Sequence, residues 1–92
     1  MKAEIRKEIL SWKGVEEKPN RYGTPSFFVN GKEFAHFHSS SQMDIRKPKG
    51  FRFGDKRAEK NPYSDEWLLF NFKGKDAEDI ISLVKKVYDK LK

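Results

Sequence analysis

Apolar positions follow two different spacings along this chain. Between residues 2 and 12, Ile5, Ile9 and Trp12 fall at i, i+4 and i+7, one face of a short amphipathic helix. Glu4 and Glu8 have oppositely charged neighbours there, and Gly14 is placed to end the helix in a left-handed conformation. Glu16-Glu17-Lys18-Pro19-Asn20 reads as a polar connection that Pro19 keeps from continuing the helix.

The spacing then changes to two. Phe27-Phe28-Val29 and residues 34–38 are β-type runs on either side of Asn30-Gly31, a strong short-range hairpin signal. Ser39-Ser40-Ser41 breaks the run, and Met43-Asp44-Ile45 can add a short third strand. Periodicity is lost over residues 46–60, where Pro48, Gly50 and Gly54 predict a long basic loop with at most a helical turn near residues 55–59. Residues 67–72 form a nearly continuous aromatic-rich run, the clearest strand. After Gly74, Asp76 is placed to cap a final helix with Asp79 in its first turn. Ala77, Ile80, Ile81, Val84, Val87, Tyr88 and Leu91 make its apolar stripe. This order predicts an α+β fold: a small antiparallel sheet of three to four strands, with an N-terminal and a C-terminal helix packed on one face. The C-terminal stripe would cover Leu68 or Leu69, Phe70 and the hairpin aromatics.

Ninety-two residues fit one domain, 1–92, and 36% hydrophobic content is enough for one core despite 37% charged residues. The absence of cysteine excludes disulfides, thiol nucleophiles and Cys-based metal sites. No apolar signal core opens the chain and no run of 18 apolar residues occurs, so a cytoplasmic protein without membrane contact is expected. The net charge of +6 favours anionic partners, including nucleic acid. Abundant Lys and Glu with a single Gln (Gln42) is equally a thermophile-like surface, and both readings stay open.

Candidate chemistry concentrates on one strand. His36 and His38, the only histidines, are two apart, so strand geometry points both rings to one face, roughly 7 Å apart at their origins. That spacing suits a metal ion or an anionic ligand, with Asp44 or Glu59 to complete the site. Without a clear third ligand, no metal and no cofactor is expected. By the same alternation Phe34 shares the histidine face, and the face carries few aliphatic residues. Downstream, Arg46, Lys47, Lys49, Phe51, Arg52 and Phe53 interleave cations with aromatics, a weak single-strand nucleic-acid signal. Arg57 has the chemistry to bind a carboxylate or phosphate bidentately, or to pair with Glu59 or Asp65. Ser39, Ser40 and Ser41 lack the glycines of a nucleophile elbow, and no phosphate-binding loop, dinucleotide fingerprint or His-Glu-x-x-His occurs.

Trp12-x-Gly14-Val15, Arg21-Tyr22-Gly23-Thr24, Glu33-x-x-His36-x-His38, Asp44, Arg57-Ala58-Glu59 and Ser64 ahead of Trp67 follow one another in order. Together they resemble a family of small stand-alone domains labelled "luciferase domain" or of unknown function, over about residues 12–88. The resemblance implies a shared polar set of His36, His38, Asp44, Arg57 and Glu59, and no light-emitting chemistry. Members of that family have Gly before the Arg-Ala-Glu piece and a His soon after it, where this chain has Lys56 and Asn61. The expectation is therefore a small anionic ligand at that polar set. The alternatives are a nucleic-acid-binding module using residues 46–57 and a protein-interaction module. Catalysis and oligomeric state stay open.

Overall fold

Local turn chemistry sets the first registration. Asn30 and Gly31 both take positive φ, 52° and 77°. That is the two-residue hairpin turn whose twist matches the strands it joins, and Val29 pairs with Lys32 across it. The computed structural model describes residues 2–21, 23–48, 57–60 and 66–92. In chain order they form α1 (Lys2–Leu10), β1 (Val15–Pro19), β2 (Pro25–Val29), β3 (Lys32–Ser39), β4 (Gln42–Arg46), β5 (Ala58–Lys60), β6 (Trp67–Asn71), a 3-10 turn (Gly74–Asp76) and α2 (Ala77–Leu91). The expected residues Lys49, Phe51, Arg52 and Phe53 lie outside the described set.

The class is α+β, with an antiparallel sheet and two helices, but the described residues make six strands in the order β1-β2-β3-β4-β6-β5, not three to four. Both added strands are edges. The sequence Val-Glu-Glu-Lys-Pro of β1 looks like a connection because an edge strand tolerates charge and proline, which also discourage pairing with another chain. It is fastened to α1 by Arg6, whose Nε and Nη2 donate to the two Glu17 carboxylate oxygens at 2.5 and 2.7 Å. The other edge, β5, is three residues long and stands where a loop with a helical turn was expected.

One sheet face carries the core. Phe27, Val29, Ala35, Phe37, Met43, Ile45 and Phe70 are buried with Ile5 and Ile9 of α1 and Ile80, Val84, Val87 and Tyr88 of α2. Full burial of each large side chain contributes roughly 1.5–3 kcal/mol relative to exposure. Leu68, opposite Ile45, faces this side, and Leu69 faces the other. The helix stripe expected from the sequence covers this face, and Tyr88 ties down the α1–β1 turn by donating its hydroxyl to the Lys13 carbonyl.

Two irregularities in β3 decide what the opposite face displays. Phe27 pairs with Ala35 and Phe28 with Glu33, which leaves Phe34 as an extra residue. Phe37 pairs with Met43 and Ser39 with Gln42, which leaves His38 as a second. The first overturns the expectation that Phe34 shares the histidine face. Phe34 is fully buried and its ring lies 6.5 Å from Trp12 and 5.9 Å from Tyr88, on the helix side. A strict alternation cannot anticipate it, because a bulge shifts one side chain across the pleat.

Candidate functional site

Directly opposed residues of antiparallel strands share a face. One such row runs across the sheet through Ser26, His36, Asp44, Leu69 and Glu59, in β2, β3, β4, β6 and β5. It lies on the face away from the helices. Flanking it are the pair Arg46–Trp67 on one side and Ser39–Gln42–Asn71 on the other.

Asp44 is the centre of this face. It is 2% exposed, and a single oxygen, Oδ2, accepts from Nε2 of His36 at 2.8 Å and from Nδ1 of His38 at 3.1 Å. Burial pushes the Asp44 carboxyl up. The hydrogen bonds and positive charge of His36, and then of His38, together outweigh burial and hold it below the usual aspartate range. The His38 bulge supports this convergence: the extra residue keeps its ring on the row while β3 re-registers against β4. His36 also packs its ring 4.9 Å from Trp67.

A carboxylate only accepts hydrogen bonds, so each imidazole nitrogen facing Asp44 carries a proton. The two rings are thereby oriented oppositely. His38 turns Nε2 away from Asp44, and its side chain is half exposed. His36 turns Nδ1 inward, 3.3 Å from Glu33 Oε2 but without a hydrogen bond. The Ser26 hydroxyl, directly across from His36, is likewise buried without a partner among the described residues.

The other expected site residues lie elsewhere. Glu59 shares the row but is exposed and separated from Asp44 by the Leu69 strand, two strand spacings or roughly 10 Å across the sheet. Arg57 belongs to the helix side. Its Nη1 lies 2.6 Å from Asp76 Oδ1 and 3.1 Å from Asp79 Oδ2, and its guanidinium sits 5.0 Å over the core ring of Phe70. Asp76 stands at the α2 N-cap, but its side chain makes no bond into the helix and accepts from the Lys73 N–H instead, at 2.8 Å. That bond first, and then Arg57 and Lys75, lower the Asp76 carboxyl against the upward push of burial.

Of the cations assigned to a nucleic-acid surface, Arg46 and Lys47 are described. Arg46 stacks 4.7 Å over Trp67, donates Nε to the Glu33 carbonyl, and lies 3.6 Å from Glu66. Lys47 uses its backbone N–H on the Glu66 carbonyl and keeps an exposed side chain. Sequence reasoning missed Trp67, Glu33 and Ser26 as members of the polar face. Glu33 was visible only as part of Glu33-x-x-His36, and an i,i+3 pair shares a strand face only where a bulge intervenes.

Among the described residues, no group of three His, Cys, Asp or Glu side chains is arranged to hold a metal ion. No helix is long and apolar enough to cross a membrane among the residues described. No protein-family model, curated protein or solved structure matches the chain.

Proposed function

We propose that this domain binds a small anionic ligand on the polar sheet face, with His38 as its contact and Asp44 and His36 holding that contact in place. The observation that carries the reading is the buried Asp44 carboxylate accepting from two imidazoles on one oxygen. Withdrawing a carboxylate from water carries a desolvation cost, which here the hydrogen bonds and charge of the two imidazoles outweigh. The same bonds fix both rings, which suits Asp44 to orienting a working side chain. With Nδ1 fixed on Asp44, His38 offers Nε2 outward: the protonated ring donates to an anion, and the neutral ring accepts a proton from a bound acid. Arg46, held flat on Trp67, adds positive charge to the same face.

The test is an NMR titration with a panel of small carboxylates and phosphate esters, following the ring resonances of His36 and His38. Saturable shifts are expected, disappearing in His38→Ala. Absence of saturable shifts across the panel removes this reading. Neither the nucleic-acid nor the protein-interaction alternative gains a specific observation from the described residues.

A further inference from the structure

The displacement of Arg57 from the histidine face opens a different question: what its own surroundings are built for. Arg57 lines a cleft of about 560 Å³ together with Ser41, Asn71, Phe72, Lys73, Lys75 and Asp76. The cleft lies where the β3–β4 turn, the end of β6 and the 3-10 turn meet. Phe72 fixes this junction by donating its backbone N–H to the Ser41 carbonyl at 2.9 Å, and the Asn71 N–H donates to the Arg57 carbonyl at 3.0 Å.

Three cations therefore surround one carboxylate, and that carboxylate is already engaged. Asp76 gives Oδ1 to Arg57 and Oδ2 to the Lys73 backbone N–H. Asp79 also reaches Arg57, from a largely exposed position. Neither the Lys73 nor the Lys75 ammonium forms an ion pair among the described residues, and the Ser41 hydroxyl has no hydrogen-bond partner there. By contrast, the cleft between α1 and α2, of about 660 Å³, is lined by Glu4, Glu8 and Glu78 against Lys7 alone. These two clefts among the described residues are similar in size and opposite in charge.

We propose that the Ser41–Arg57–Lys73–Lys75 cleft is a second, separate anion site that takes a phosphate group. Two exposed ammonium groups, a hydroxyl and a guanidinium held by Asp76 and Phe70 approach from different elements. Such a spread of donors suits a tetrahedral dianion better than a planar carboxylate. Arg57, engaged by Asp76 and Asp79, fixes one wall of the cleft, and Lys73, Lys75 and Ser41 supply the donors that close on the ligand. Both lysines and Ser41 are exposed, so exchanging them leaves the core intact.

The experiment is a titration of the whole chain with inorganic phosphate and, in parallel, ribose 5-phosphate, against chloride at matched ionic strength. Backbone amide shifts are followed by NMR. Saturable shifts at Ser41, Asn71 and residues 73–76 are expected, weakened about tenfold or more in the Lys73→Ala/Lys75→Ala double variant and unchanged in His38→Ala. Tighter binding of the ester identifies the ligand as a phosphorylated small molecule, and equal binding identifies free phosphate. Shifts confined to His36 and His38 overturn this proposal while leaving the histidine-face reading standing. Shifts spread over all surface lysines, or reproduced by chloride, overturn it as well.

Discussion

The two faces of this sheet bury their residues by different physics. On the helix side Phe27, Phe37, Met43, Ile45 and Phe70 are buried without a polar partner to arrange, and shape alone decides how well they fit. On the other side Ser26 and Asp44 are just as inaccessible, yet each carries polar atoms that water would otherwise satisfy. One face is strict about volume and apolarity, and the other about the pairing of its polar atoms. That contrast separates a scaffold from a site: removing methylenes should hurt the first, and removing a charge should hurt the second.

The largest effect is expected where the faces were confused. Strand alternation puts Phe34 with the histidines, whereas its ring lies against Trp12 and Tyr88. As a core aromatic, Phe34→Ala should cost about 3–5 kcal/mol in denaturant unfolding. A loss below about 1 kcal/mol is the value expected of a surface aromatic, and it would return Phe34 to the polar face.

Next in size is Asp44→Ala, which strands two imidazole N–H groups and should cost about 2–3 kcal/mol at neutral pH. Its pH dependence carries a definite sign. The folded-state value of Asp44 is lowered, so its contribution is complete above the unfolded aspartate range, near pH 4, and is lost as pH falls through the lower folded value. The stability gap between the wild type and Asp44→Ala should therefore close as pH falls below about 4. A gap that stays fully open through that acid range contradicts the assignment of Asp44 as the charged partner.

What could be read from the chain follows the same division. The α2 stripe, the Asn30-Gly31 hairpin and the aromatic strand β6 are local patterns, and each stands where its periodicity or turn chemistry puts it. Residues whose role depends on register were not legible. Val15–Pro19 lacks an apolar signature because an edge strand does not need one, and Ala58–Lys60 is too short to show a period. The histidine pair and Asp44 were recognisable as chemistry, but their convergence on one oxygen depends on β3–β4 pairing and on the bulge at His38. Arg57 was the least legible. Its partner Asp76 is nineteen residues away and belongs to a helix start whose position against β5 no local pattern encodes.

Arg57 offers a sharper comparison of the two sides at a smaller expected effect. Arg57→Ala removes the guanidinium from Asp76 and Asp79 and from the Phe70 ring. Amide exchange should accelerate at Lys73, whose N–H is held by Asp76, while the ring resonances of His36 and His38 stay in place. Movement of those rings together with unchanged exchange at Lys73 would place Arg57 with the histidines after all.

The smallest effect on stability is expected at His38, and it probes the site most directly. Its ring is half exposed and meets Asp44 at one nitrogen, so His38→Ala should change stability by less than about 1 kcal/mol. The neutral tautomers are a stricter matter. Asp44 Oδ2 faces Nε2 of His36 and Nδ1 of His38, and an acceptor-only carboxylate demands a proton on each. Two histidines on one strand should therefore hold opposite tautomers, Nε2–H for His36 and Nδ1–H for His38, readable from their ring nitrogen shifts. Replacing Asp44 with Ala should return His38 toward the mixture of an unconstrained imidazole. If His38 keeps Nε2–H in the wild type, its outward nitrogen is a fixed donor and not a base, and the proton-accepting half of the proposed chemistry is lost.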